Sequence, residues 1–122
     1  AQWTGSIRNA MYAVPGHGAF MSALKRAAYT ADERLLFVNT GVDVQRPVKE
    51  QSDVFWWAGR SFADINDRYG QYAKIIRGFD PDHDGYAETE FTMTVDGGCG
   101  FDGALLAVCI GRDGNVIDRL ET

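Results

Sequence analysis

The sequence predicts an α/β fold: a helical lead-in over residues 1–33 and a mixed sheet region over 34–122, with antiparallel strands at the C-terminus. Three observations carry this. A helix-spaced apolar stripe lies near the N-terminus, where Phe20, Leu24, Ala27 and Ala28 share a face and Lys25 and Arg26 fall elsewhere. The run Leu35-Leu36-Phe37-Val38 is apolar throughout, as suits a strand buried on both sides. The last third alternates short strand-like runs with turn formers such as Arg112-Asp113-Gly114-Asn115, a hairpin signal.

Element by element, residues 6–13 read as a short helix stopped by Pro15 and Gly16, and residues 19–29 as the strongest helix. The strand over 35–38 ends at the polar pair Asn39-Thr40, before Gly41. Residues 43–70 are irregular and rich in aromatics, with a short helix over 53–57. The cluster Phe55-Trp56-Trp57 is either the core of that excursion or a stacking or docking surface. Residues 72–77 form a second strand, and residues 89–95, 104–110 and 115–120 three more in quick succession.

With 122 residues, the chain holds one small core: a single domain, or the C-terminal part of one. It opens on Ala1 rather than Met, the expectation for a piece of something longer. A net charge of −5 argues against nucleic-acid binding. The longest apolar run, residues 104–110, is too short to span a bilayer, and no signal peptide is recognisable, so a cytoplasmic protein is expected. The charge is unevenly placed. Residues 1–31 contain no acid but carry Arg8, Lys25 and Arg26, leaving all 17 acids against nine bases in the remainder. Cys99 and Cys109 lack zinc-site spacing and read as free thiols.

Four segments, in order, resemble the later half of the serine/threonine-phosphatase branch of calcineurin-like metallophosphoesterases. The family pattern F-V-H-A-G is similar to Phe37-Val38-Asn39-Thr40-Gly41, and P-L-x-x-Q followed by Trp to Pro47-Val48-Lys49-Glu50-Gln51 and Trp56-Trp57. The pattern V-x-G-H-T-P is similar to Ile76-Arg77-Gly78-Phe79-Asp80-Pro81. I-D-T-G with G-G-x-L is similar to Val95-Asp96-Gly97-Gly98 and Asp102-Gly103-Ala104-Leu105. The resemblance implies half of a metallophosphoesterase-type β-sandwich flanked by helices. It implies a phosphoric ester hydrolase acting, when complete, on a phosphorylated small molecule or protein through a pair of divalent metal ions (Mn, Fe or Zn).

The departures matter as much. The two family histidines that bind metal stand here as Asn39 and Phe79, a weak ligand and a non-ligand. No D-x-H, G-D-x-x-D-R or G-N-H motif precedes Asn39, so the chain alone is expected to be inactive. On the resemblance, Asn39, Arg77, Gly78 and Asp96 line the phosphate side of the cleft. Asn39 is then a weak metal ligand or a donor to phosphate. Arg77 is either a bidentate phosphate clamp or an ion-pair partner.

His17, between two glycines, is either a phosphate contact or a structural helix-entry residue; His83 is a candidate substitute for the ligand lost at Phe79. Asp80, Asp82 and Asp84, with Gly85 at the sixth position, match the start of a calcium loop. The twelfth position holds Phe91 and strands flank the loop, so the alternative is a solvated acidic connection. Strands deprived of the family's missing half would lack cover, which points to a partner chain or self-association. A non-catalytic binding or assembly module, calcium-stabilised or not, is therefore the second reading. In it, Trp3, Ile7, Met11 and Tyr12 of the acid-free segment form a docking surface.

Overall fold

The computed structural model describes residues 2–122; Ala1, on which the reading of the chain's start rests, lies outside them. Two helices come first, α1 over Gln2–Ala13 and α2 over His17–Ala23. Seven strands follow: β1 Ala27–Tyr29, β2 Leu35–Val38, β3 Lys74–Arg77, β4 Ala87–Glu88, β5 Thr92–Thr94, β6 Leu106–Ile110 and β7 Val116–Glu121. The helix read over 19–29 forms only in its first half, within α2, and stops at Ala23. Leu24 turns extended (φ −56°, ψ 135°), and residues 27–29 pair antiparallel with β2. Cross-strand hydrogen bonds at an open sheet edge outweigh the helix-spaced stripe, a case of tertiary context overriding local pattern.

The main sheet has strand order β1-β2-β3-β5-β4. Its centre is parallel: β2 beside β3 in the register Leu36↔Ile75 and Val38↔Arg77, and β3 beside β5 with Arg77↔Thr94. The strand read over 89–95 is thus a parallel central strand, antiparallel only to the two-residue β4. The antiparallel ending is the β6–β7 hairpin alone, which forms its own two-stranded sheet. The fold class is therefore mixed α/β with a mixed sheet and an antiparallel pair.

Strand alternation decides what each face buries. Leu36, Val38 and Ile75 face the irregular excursion and pack with Val42, Phe55, Phe62, Ile65, Tyr69 and Tyr72. Leu35, Ile76 and Met93 face the other way, against Val108, Ile110 and Val116 of the hairpin. Both faces of β2 and β3 are thus covered from within this chain. The expectation that they would lack cover is corrected, because aromatics over 43–72 fill one side and the hairpin fills the other. Phe55 belongs to that core, whereas Trp57 is 81% exposed.

Gly41 allows the excursion to lie close. A Cβ there would stand 2.4 Å from the carbonyl oxygen of Ala58, inside any normal contact. The helices stand apart from both layers: apart from the half-buried Gly5 and Gly18, every residue from Trp3 to Arg26 is exposed. No helix among the described residues is long and apolar enough to cross a membrane.

Candidate functional site

Parallel strands present their carboxyl ends together, and in open α/β sheets ligands bind outside those ends. Here β2, β3 and β5 end at Val38, Arg77 and Thr94. The connections leaving them carry Asn39, Gly78 and Asp96 side by side. The backbone ties the first two loops, since the amides of Gly78 and Phe79 donate to the carbonyl oxygen of Asn39 at 3.1 and 2.9 Å.

Arg77 is the centre of the cluster and is buried. Its Nε donates to Thr94 Oγ1 at 2.8 Å, one terminal nitrogen donates to the Gly59 carbonyl at 3.2 Å, and the other pairs with Asp80 Oδ2 at 2.8 Å. The guanidinium lies 4.6 Å from the Phe62 ring centre. A guanidinium so engaged is a fastener between the excursion, β5 and the acidic loop, rather than a free clamp.

Asp96 joins the loops after β3 and β5. Its Oδ2 accepts from the Asp80 amide at 2.8 Å and its Oδ1 from the Gly98 amide at 2.8 Å. Burial opposes its ionisation, but those amide bonds and the nearby His83 outweigh it and hold the carboxyl below its ordinary range. His83 Nδ1 approaches Asp96 Oδ2 at 3.4 Å, a long contact. The imidazole is held from two sides, edge-on to Phe79 at 5.3 Å and stacked on Phe101 at 4.0 Å between ring centres. His83 also sits in the left-handed region, with φ 54°. Chemically, this imidazole and carboxylate can bind a polar oxygen or pass a proton.

The residues present do not fit a two-metal centre. The Asn39 amide oxygen accepts from Thr40 Oγ1 at 2.7 Å, Phe79 offers no donor, and Asp80 is paired with Arg77. Among the described residues no group of three or more His, Cys, Asp or Glu side chains is gathered to hold a metal ion. The calcium-loop reading meets the same geometry. Asp80 turns inward to Arg77, whereas Asp82 and Asp84 point to solvent as exposed residues.

The structure thus brings together Asn39, Arg77, Gly78, Asp80, His83 and Asp96, and leaves Asp82 and Asp84 outside the cluster. His17 lies on α2, among exposed residues. Sequence reading missed Thr94, Gly59, Phe62 and Phe101. Thr94 was within reach as the residue that ends a strand two positions before Asp96; nothing local marks Phe101. Both cysteines are free and exposed. No family model, curated protein or solved structure matches this chain.

Proposed function

We propose that this chain is the C-terminal segment of a metal-dependent phosphoesterase-like protein and that it is not hydrolytic on its own. The observation that carries the reading is positional. Asn39, Gly78–Phe79 and Asp96 stand where the resembling motifs put site residues, and each follows one of three adjacent parallel strands. In this reading Asn39, the exposed Gly78 and Asp96 form one wall of a phosphate cleft, Arg77 positions that wall from behind, and the hydrolytic metals come with ligands supplied from elsewhere. A phosphorylated small molecule or protein is the substrate of the complete protein.

A second reading, a non-catalytic binding or assembly module, draws on a specific observation: every polar arm of Arg77 already has a partner within the chain. The test is hydrolysis of p-nitrophenyl phosphate by the purified chain with and without manganese, alongside bound-metal analysis. The same assay on the product of the complete reading frame separates the two readings. Turnover only in the longer protein supports the first. No turnover in either supports the second. Metal-dependent turnover by this chain alone overturns the claim of inactivity.

A further inference from the structure

We propose that the pocket between the β1–β2 turn and residues 47–49 and 69–72 binds a small guanidino acid, a molecule of the class of free arginine. The pocket measures about 270 Å³. That is just under the usual range for drug-sized ligands, about 300–1,000 Å³, and so of single-amino-acid scale. It lies by the amino ends of β2 and β3, since Glu33 and Tyr72 each stand two residues before one of those strands. The cluster around Arg77 is at the opposite ends, so the two sites are separate.

An unpartnered hydroxyl marks this pocket. Tyr69 and Tyr72 stack with 6.0 Å between ring centres, and both are buried. The Tyr69 hydroxyl is engaged on both sides, donating to the Arg46 carbonyl and accepting from Gln51 Nε2. Tyr72 lines the pocket and is only 4% exposed, yet among the described residues its hydroxyl has no hydrogen-bond partner. A buried hydroxyl without a partner carries a cost that a bound polar group removes. Burial first, then Glu33 and the neighbouring tyrosines, push this phenol above its ordinary value. It therefore stays protonated and can accept a hydrogen bond from a bound N–H.

The charges around the hydroxyl select the ligand. Glu33 is held in the left-handed region, φ 53°, by a turn in which its amide donates to the Thr30 carbonyl at 2.8 Å. Its carboxylate accepts from the neutral Gln71 amide at 2.8 Å and pairs with no cation among the described residues. Tyr29, 53% exposed, lines the same pocket with its ring centre 6.3 Å from that of Tyr72. A carboxylate without a cation beside an open aromatic ring suits a guanidinium better than an ammonium, because the planar fork both bonds carboxylates and stacks on rings. Lys49 also lines the pocket and is exposed. It opposes a bare cation and favours one that carries its own carboxylate, as free arginine does and an arginine within a peptide does not.

Amide chemical shifts of the purified chain, titrated with L-arginine, test this. L-arginine should shift the amides of Tyr29, Glu33 and Tyr72 with a Kd of about 1 mM or tighter. Citrulline, in which a neutral urea replaces the guanidinium, and agmatine, which lacks the carboxylate, should each bind about tenfold more weakly or worse. Glu33→Gln, which keeps an acceptor for Gln71, should weaken arginine binding by a similar factor. Tyr72→Phe should fold as stably as wild type and still bind arginine more weakly, which a purely structural tyrosine would not do. Absence of shifts with L-arginine, citrulline binding as tightly as arginine, or a Glu33→Gln protein that binds like wild type overturns the proposal. So does agmatine or a capped Gly-Arg-Gly peptide binding as tightly as free arginine, because the pocket would then not select a guanidino acid. If a variant unfolds, the comparison of arginine, citrulline and agmatine on the unaltered protein decides alone.

Discussion

Arg77 and Asp80, three residues apart, close a 2.8 Å ion pair in which both side chains are only 7% exposed. The pair sits at the end of β3, where the resembling phosphatase pattern has a metal-binding histidine close by. A buried pair is costly to leave half-made, because the surviving charge has no water to turn to. Arg77 therefore bears on the site through the shape of the loops it fastens, which changes how its substitution is to be read.

Arg77→Met should destabilise the chain by about 3–5 kcal/mol, since it strands the Asp80 carboxylate and empties the space over Phe62. Adding Asp80→Leu should return much of that loss, as a hydrophobic replacement for the whole pair removes the orphaned charge. Urea unfolding of the two variants checks this. A double variant no more stable than Arg77→Met would show that the pair is not the source of the cost. An activity lost in Arg77→Ala means little until stability is measured beside it.

Asp96 predicts an acid limb. Its folded carboxyl lies below the ordinary aspartate value, so its contribution is fully present above the unfolded value, about 4. That contribution is lost as pH falls through and below it. In Asp96→Asn the stability difference from wild type should be about 1–2 kcal/mol at neutral pH and shrink toward pH 3. Unfolding free energies of both proteins between pH 3 and 7 read it directly; a gap that stays constant with pH would refute the assignment.

How far the sequence foretold this arrangement depends on how local each cause is. The strand over 35–38 was legible because an unbroken apolar run needs cover on both faces, that over 72–77 because the β-branched pair Ile75-Ile76 runs up to Gly78, and the hairpin at Asp113-Gly114 because turn chemistry is local. The Ala27–Tyr29 strand was not, since a sheet edge created by β2 decides it. The parallel placement of Thr92–Thr94 was equally invisible: a short strand has no local mark of its partner's direction. Within the site, Asn39, Gly78 and Asp96 were singled out through the resemblance, and Asn39 and Gly78 also as residues that end strands. Of the partners of Arg77, Asp80 is three residues away, but the other two come from a loop 18 residues away and a strand 17 away in sequence, separations no spacing rule covers.

Tyr86 predicts an alkaline limb. Burial first, then its hydrogen bond and proximity to Glu88, push the phenol up to about 12. A phenol raised above its unfolded value of about 10 favours the folded state fully below that pH. The advantage is lost as pH climbs from there toward 12. Glu88 also pairs with the buried Lys74, so the three groups tie β4 to the sheet. Tyr86→Phe should remove the last-titrating component of the ultraviolet phenolate titration and flatten the stability loss between pH 10 and 12. An unchanged titration in the variant would assign that component to another tyrosine.

Two glycines of the strand-end loops make opposite predictions. A Cβ at Gly41 would meet the Ala58 backbone oxygen at 2.4 Å, and neither strand nor excursion can retreat without opening the core around Phe55. Gly41→Ala should therefore cost about 1–3 kcal/mol, the usual scale of overpacking. At Gly78 a Cβ meets nothing within 4 Å, and the residue is exposed. Gly78→Ala should leave stability within about 0.5 kcal/mol of wild type. If the proposed cleft brings a phosphate against this backbone, the added methyl should still weaken phosphate binding, measured calorimetrically with the complete protein. A Gly78→Ala protein that is stable and binds phosphate like wild type would remove Gly78 from the cleft. A destabilised one would show that this loop packs more tightly than its open surroundings indicate.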